Sequence, residues 1–476
     1  MKKSQVVQLL EALSTSDLRR LKAFIYSPYF NKNKKVQQLL ELLLDTAPDF
    51  AEKRLAKPVL LKKLFDNSTN DLQKLKDIAS ELMQVIERFF AQQHWEQSQT
   101  NIYVSSSQAA LQANILPFFE KENRKSRKLL AQQTWRDAAY FMMQYQSEAL
   151  AEQYNALLGK RTAISHLQAK MDYLDLAYLL QKLKCCCDLL SHQLVMNSQS
   201  NLRLLAEIEE GIVNNQDYFE DFPSIQIYHQ TLLMLKEPEE EKHYQLLVPL
   251  LEKWVHLFPR EEARELYTYA RNYCIWQSNR GKKAYETHLF GLFQQLIRQN
   301  LLLEKEQLSQ WTYLNIIVVG CRLSEFDWTR KFIFDYKNNI VEGQRANAFN
   351  YNLAYFHYQK GELQTALSAL RDVEFTDVYY QLNARILLLK TNFELADWQA
   401  LDYTLDSFRI YLLRNKAIPT KRKKSAMNLV RFTQKLVKIK EFHFQKTKQQ
   451  TQLEDLRNAV EAQIDMLQRD WLLGQI

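Results

Sequence analysis

Glycine and proline are scarce in this sequence: 476 residues hold 8 Gly and 9 Pro, where ordinary usage would supply about 33 and about 24. Sheet proteins place turn glycines roughly every 8–12 residues, and phosphate-cradling loops crowd them closer still. Here the nearest pair is Gly281 and Gly291. GxGxxG, Walker A and GxSxG patterns are therefore excluded, and the composition predicts an all-α protein. Long apolar runs are missing too: none approaches the roughly 18 residues that a membrane helix needs. The opening MKKSQVVQLLEALS is interrupted by Gln5, Gln8 and Glu11, so it reads as an amphipathic helix rather than a signal peptide. Five cysteines, three of them consecutive at Cys185–Cys187, do not make a disulfide framework and point to a reducing cytoplasm.

What is present is a core-forming composition. Hydrophobic residues make up 46% and charged residues 25%, which excludes a disordered chain. The length exceeds one compact core and implies several domains or an elongated array. The net charge of +8 is uneven. From Arg409 to Lys448 thirteen Lys or Arg stand against one acid, Glu441, leaving the remainder of the chain at −4.

Breaker positions divide the chain into five segments. Residues 1–68 read as short helices, with Ser14 and Asp17 forming a capping box before Leu18, Leu21, Phe24 and Ile25. The phrase Tyr26-Ser-Pro28-Tyr-Phe-Asn31 ends the second helix. Residues 69–222 predict long helices, about 70–98, 118–158 and 161–195. In the last of these Ile164, Leu167, Met171, Leu174 and Tyr178 alternate steps of three and four, the spacing of one apolar seam between packed helices. Residues 223–259 form a proline-rich connection, 260–415 carry shorter helices, and 416–476 hold a basic helix and a capping helix.

The segment Asn350–Leu370 resembles a tetratricopeptide (TPR) repeat, with Leu353 and Ala354 on its first helix, Gly361 at the turn, and Ala366 and Leu370 on its second. At an offset of 34, Leu387, Ala400 and Leu401 repeat Leu353, Ala366 and Leu367, and Asp397 stands as a helix cap. Leu395 occupies the place of Gly361. Asp327-Trp328 echoes Asp397-Trp398, marking a further unit near 308–341, with 262–300 as another. The resemblance implies an α-solenoid of antiparallel helix pairs over about 260–415, preceded by a long-helix bundle or array. Such pairs cannot bury their apolar faces alone and must stack.

By the same resemblance, positions 348, 351, 355 and 358 line the inner face of one helix, and 382, 385, 389 and 392 that of the next. Tyr351, Tyr355, Tyr358, Arg385 and Asn392 are then candidate partner-binding residues, since Tyr and Arg anchor interfaces strongly. Packing between repeats uses tyrosines equally well. The family's clamp for a C-terminal carboxylate uses Lys and Asn, and Tyr351 and Tyr355 depart from it. The expected function is a non-enzymatic scaffold or adaptor that binds another protein, with no cofactor, no metal and no membrane. The alternative is a nucleic-acid-binding regulator using the basic 409–448 helix, with Lys421, Arg422, Lys423, Lys424, Arg431 and Lys435 tracking phosphates. The same cations could serve only to keep a terminal helix soluble. Chemistry is otherwise thin. Nine histidines are scattered without HExxH, and Cys185, Asp188 and His192 span two helical turns, too far for one ion.

Overall fold

A computed structural model describes residues 4–47, 50, 54–65, 72–161, 163–196, 201–371, 373, 378–441 and 446–476. Among them the protein is all-α, with 24 α-helices, two short 3-10 helices and no strand. The chain divides into two compact units, residues 1–178 and 179–476.

The first unit contains α1 (Gln5–Ala12), α2 (Thr15–Tyr26), α3 (Lys34–Leu44), α4 (Lys57–Leu64), α5 (Leu72–Glu96), α6 (Gln99–Gln112), α7 (Leu116–Gln132), α8 (Ala138–Leu157) and the start of α9 (Ile164–Met196). Ser14 caps α2 by accepting from the Asp17 N–H at 3.1 Å and donating to its carboxylate at 2.6 Å. The α2–α3 turn is tied by buried Asn31, which donates to the Ile25 carbonyl at 3.0 Å, while Phe24 and Phe30 stack at 3.9 Å. The 118–158 segment is not one helix. It breaks at 133–137, where Asp137 accepts the Tyr140 N–H at 2.8 Å and starts α8 afresh. A side-chain cap offers the backbone an alternative to continuing the ladder.

The seam expected on α9 also turned out differently. Ile164 and Met171 are 84% and 57% exposed, and Leu174 and Tyr178 are exposed as well. Leu176, Ala177, Leu180 and Leu183 are buried in their place. Both stripes have helical spacing, so periodicity alone could not say which one would face the core.

The second unit continues through α10 (Leu205–Asn214), α11 (Gln216–Phe219), α12 (Pro223–Lys236), α13 (Glu241–Trp254), α14 (Arg260–Asn279), α15 (Ala284–Arg298), α16 (Gln310–Arg322), α17 (Phe326–Asp335), α18 (Glu342–Gln359), α19 (Leu363–Arg371), α20 (Val378–Glu394), α21 (Trp398–Arg414), α22 (Thr420–Glu441), α23 (Lys446–Glu461) and α24 (Arg469–Gln475). Sequential helices form antiparallel hairpins. In three places the first helix of one hairpin touches the first helix of another: α12 touches α14, α16 touches α18 and α18 touches α20. Small residues make these approaches possible: Ala348, Ala354 and Ala366 are fully buried. Gly320 is the tightest, for a Cβ there would lie 2.2 Å from Thr329 Oγ1.

The α16–α17, α18–α19 and α20–α21 hairpins share one turn. Gly361 (φ +81°) lies two residues past α18 and two before α19, and Ala396 (φ +55°) stands identically between α20 and α21. The structural offset here is therefore 35, not 34, so Leu395 is not the counterpart of Gly361. Between α16 and α17 the left-handed residue is Ser324. That places Asp327 two positions inside α17, whereas Asp397 caps α21 by accepting the Ala400 N–H at 3.0 Å. The Asp-Trp echo is thus not an equivalence.

Candidate functional site

The three tyrosines of α18 share a face, as spacing required, but that face is largely covered. Tyr351 and Tyr358 are 6% and 8% exposed. Tyr351 meets Tyr380 of α20 edge-on at 5.3 Å, and the Tyr358 hydroxyl donates to Glu394. Burial raises both phenols above their ordinary range. Tyr355 is half-buried beside Arg322 and Cys321, and burial pushes it up to about 12. These rings fill the gap between successive first helices, and only Tyr355 retains part of an open surface.

On α20 the expected inner face is the hairpin's own interior. The Arg385 guanidinium lies 4.7 Å over the Tyr411 ring of α21, and buried Asn392 donates to Thr404 Oγ1 of α21 at 3.0 Å. Arg385 and Asn392 therefore do not join the α18 tyrosines. Lys390 and Glu394 do, because they stand about 140–180° around the helix from Arg385. Lys390 Nζ sits 4.8 Å from the Tyr358 ring centroid and 5.5 Å from that of Trp471 on α24. It donates to Gln468 Oε1 at 3.3 Å, while Trp471 Nε1 donates to Glu394 at 2.7 Å. Burial pushes Lys390 down to about 8, with Arg322 adding to the effect and Glu394 opposing it. Arg322 is itself paired to Glu286 at 2.9 Å. The result is a strip of cations and aromatic rings: exposed Arg322, half-buried Tyr355, Lys390 and Trp471, and buried Tyr358. Sequence reasoning missed Lys390 and Trp471, since one lies across α20 from the assigned face and the other is eighty residues away.

The basic helix is α22. Residues 442–445 of the expected segment, and the side chains of Lys446 and Lys448, lie outside the described residues. Lys421, Arg422, Lys424, Arg431, Lys435 and Lys438 are exposed. Lys421, Lys424, Arg431, Lys435 and Lys438 fall within about 100° of one another, along about 25 Å of helix. Lys423 turns away to donate to the Asn415 carbonyl at 3.1 Å, just past the end of α21. Lys424 approaches Asp465 at 3.5 Å, and Arg431 and Lys435 rest over the Phe432 ring. Lys435 and Lys438 also border a groove of about 460 Å³ floored by Ile439, Leu456 and Ala459.

On α9, Cys186 and Cys187 are buried, which raises both thiols, while Cys185 is exposed. Asp188 accepts from the Tyr269 hydroxyl at 2.6 Å. No described helix is long and apolar enough to cross a membrane. Compared with protein-family models, curated proteins and solved structures, the chain matches none.

Proposed function

We propose that the protein is a non-enzymatic helical scaffold that binds another protein along the strip formed by α16, α18 and α20, within a TPR-like solenoid. The observation that carries this reading is the half-open cluster of Arg322, Tyr355 and Lys390, with Tyr358 and Trp471 beneath and beside it. Aromatic and cationic side chains already held in place lose little freedom on binding and so anchor interfaces well. The recurring hairpin turn supports the repeat character of the scaffold. In quantitative affinity capture, Tyr355→Ala with Lys390→Met is expected to lose a stoichiometric partner that Tyr403→Ala, on an exposed face of α21, retains. Equal retention by both variants would remove the strip from consideration.

A second reading is favoured by α22, whose aligned exposed cations suit a phosphate backbone. Replacing Lys421, Arg431 and Lys435 with Glu should then weaken binding of a single-stranded oligonucleotide and flatten its salt dependence. Unchanged binding would eliminate it.

A further inference from the structure

On α14, spacings of three and four put Glu261, Arg264, Glu265, Thr268 and Arg271 on one face. That face borders a cavity of about 390 Å³, closed on the other side by the 301–309 loop and the start of α16. The volume is at the lower end of the small-molecule range.

Arg271 is the anomaly in this cavity. Its Nη2 donates to Thr268 Oγ1 at 2.9 Å and its guanidinium faces the Phe293 ring at 5.5 Å. Its Nε is buried without a hydrogen-bond partner. Among the described residues no carboxylate pairs with it, and burial alone pushes it down to about 10. A buried charge without a counter-charge is costly and persists where something else supplies the compensation. Half-buried Lys184, by contrast, pairs with Glu265 at 2.7 Å.

The rest of the lining has the matching chemistry. Arg264, about two turns back along the same face, donates to the Leu303 carbonyl at 3.3 Å and stays 3.7 Å from the exposed Glu304. Thr268, Ser309 and Thr312 contribute hydroxyl groups. Ser309 is also the N-cap of α16, so the positive end of that helix points to the same space. The acids of the lining, Glu261, Glu265 and Glu304, are exposed, whereas Arg264 and Arg271 are half-buried. The loop is held in place by reciprocal Glu304–Gln307 backbone bonds of 2.8 and 2.9 Å and by Leu308 N–H donating to Asn339 at 2.8 Å.

We infer that this cavity is a binding site for a small oxyanion, the phosphate or carboxylate group of a small molecule, received by the Arg271 and Arg264 guanidinium groups. A guanidinium edge matches either group with two parallel hydrogen bonds. The site is separate from the α16–α18–α20 strip and stands or falls without it.

The test is thermal unfolding of the full chain at constant ionic strength, with inorganic phosphate and acetate titrated separately against chloride. The wild type should show a saturable rise in midpoint with at least one of them, and the one that saturates at lower concentration identifies the group. Arg271→Met should abolish the rise and, without anion, unfold at an equal or higher temperature, because it deletes an uncompensated charge of similar volume. Arg264→Met should raise the half-saturating concentration about tenfold or more, the loss of a charge-assisted contact, and it tests the site independently of Arg271. No saturable rise with either anion, or the same rise in wild type and both variants, would overturn the assignment. So would an Arg271→Met protein clearly less stable than wild type without anion, since the arginine would then be structural.

Discussion

The α18–α19 and α20–α21 hairpins turn through the same backbone with different residues. In each, a left-handed residue follows the helix by two positions, and the next N–H reaches back five residues: Glu362 to His357 at 2.9 Å, Asp397 to Asn392 at 3.1 Å. The left-handed residue is Gly361 in the first and Ala396 in the second. Ser324 between α16 and α17, and Asn114 between α6 and α7, repeat the arrangement, with Glu325 bonding Gly320 and Ile115 bonding Ala110. The turn satisfies the orphan carbonyls of a helix end, and it is kept even where a Cβ makes it cost about 1–2 kcal/mol. Packing of the two helices fixes the turn, and glycine merely lowers its cost.

The strongest way to break the comparison is at the helix approach, not the turn. Gly320→Ala would drive a methyl group into the fully buried Thr329, whose hydroxyl donates to the Glu325 carbonyl at 2.7 Å. A loss of about 2 kcal/mol is expected in denaturant unfolding, as for other overpacked sites. Adding Thr329→Ala should recover much of it, and full wild-type stability of the single variant would contradict the geometry.

The turn itself predicts smaller and opposite effects. At Gly361 an added Cβ meets nothing within 4 Å, so Gly361→Ala costs only conformational energy, about 1 kcal/mol. Ala396→Gly relieves the same strain but frees the unfolded chain, so a net gain of about 0.5 kcal/mol is expected. If both substitutions destabilise equally, the two turns are not equivalent.

How much was legible follows from these residues. Gly361 announced its turn because glycine is the residue that adopts positive φ without strain. Ser324 and Ala396 do the same work under names that carry no such signal, and Asn114 under one that carries a weaker signal than glycine, so breaker scarcity described composition and undercounted turns. The Asp397 cap and the Ser14 capping box were readable because a cap is local. The break at 133–137 was local too, yet Asp137 was hidden by the apolar spacing on either side of it. The candidate site was legible only as far as helix phase was. The α18 tyrosines share a face, but which neighbour they meet depends on how α20 is rotated, and a single-residue slip in repeat register hides that. Trp471 and the uncompensated Arg271 are tertiary facts, invisible to any window of sequence.

The two faces of α20 give the finest contrast. Lys390 faces the α18 tyrosines and is pushed down to about 8 by burial, whereas Arg385 faces α21 and is lowered from a far higher starting point. An ordinary lysine titrates near 10.4. Below about pH 8 Lys390 is charged in both folded and unfolded chains, and its desolvation penalty is fully present. Between about 8 and 10.4 the unfolded chain binds more protons than the folded one, so this group's contribution to stability rises with pH. Buried tyrosines and cysteines push the other way at high pH, and they are common to wild type and variant. The difference in unfolding free energy between wild type and Lys390→Met isolates the lysine. It should climb by a few tenths of a kcal/mol per pH unit across that window, once solvent screening of a half-buried group is allowed for. Arg385→Met should show no slope there, because a guanidinium stays protonated throughout. Equal slopes for the two variants would mean that Lys390 is solvated like any surface lysine, and that the strip it belongs to is not enclosed.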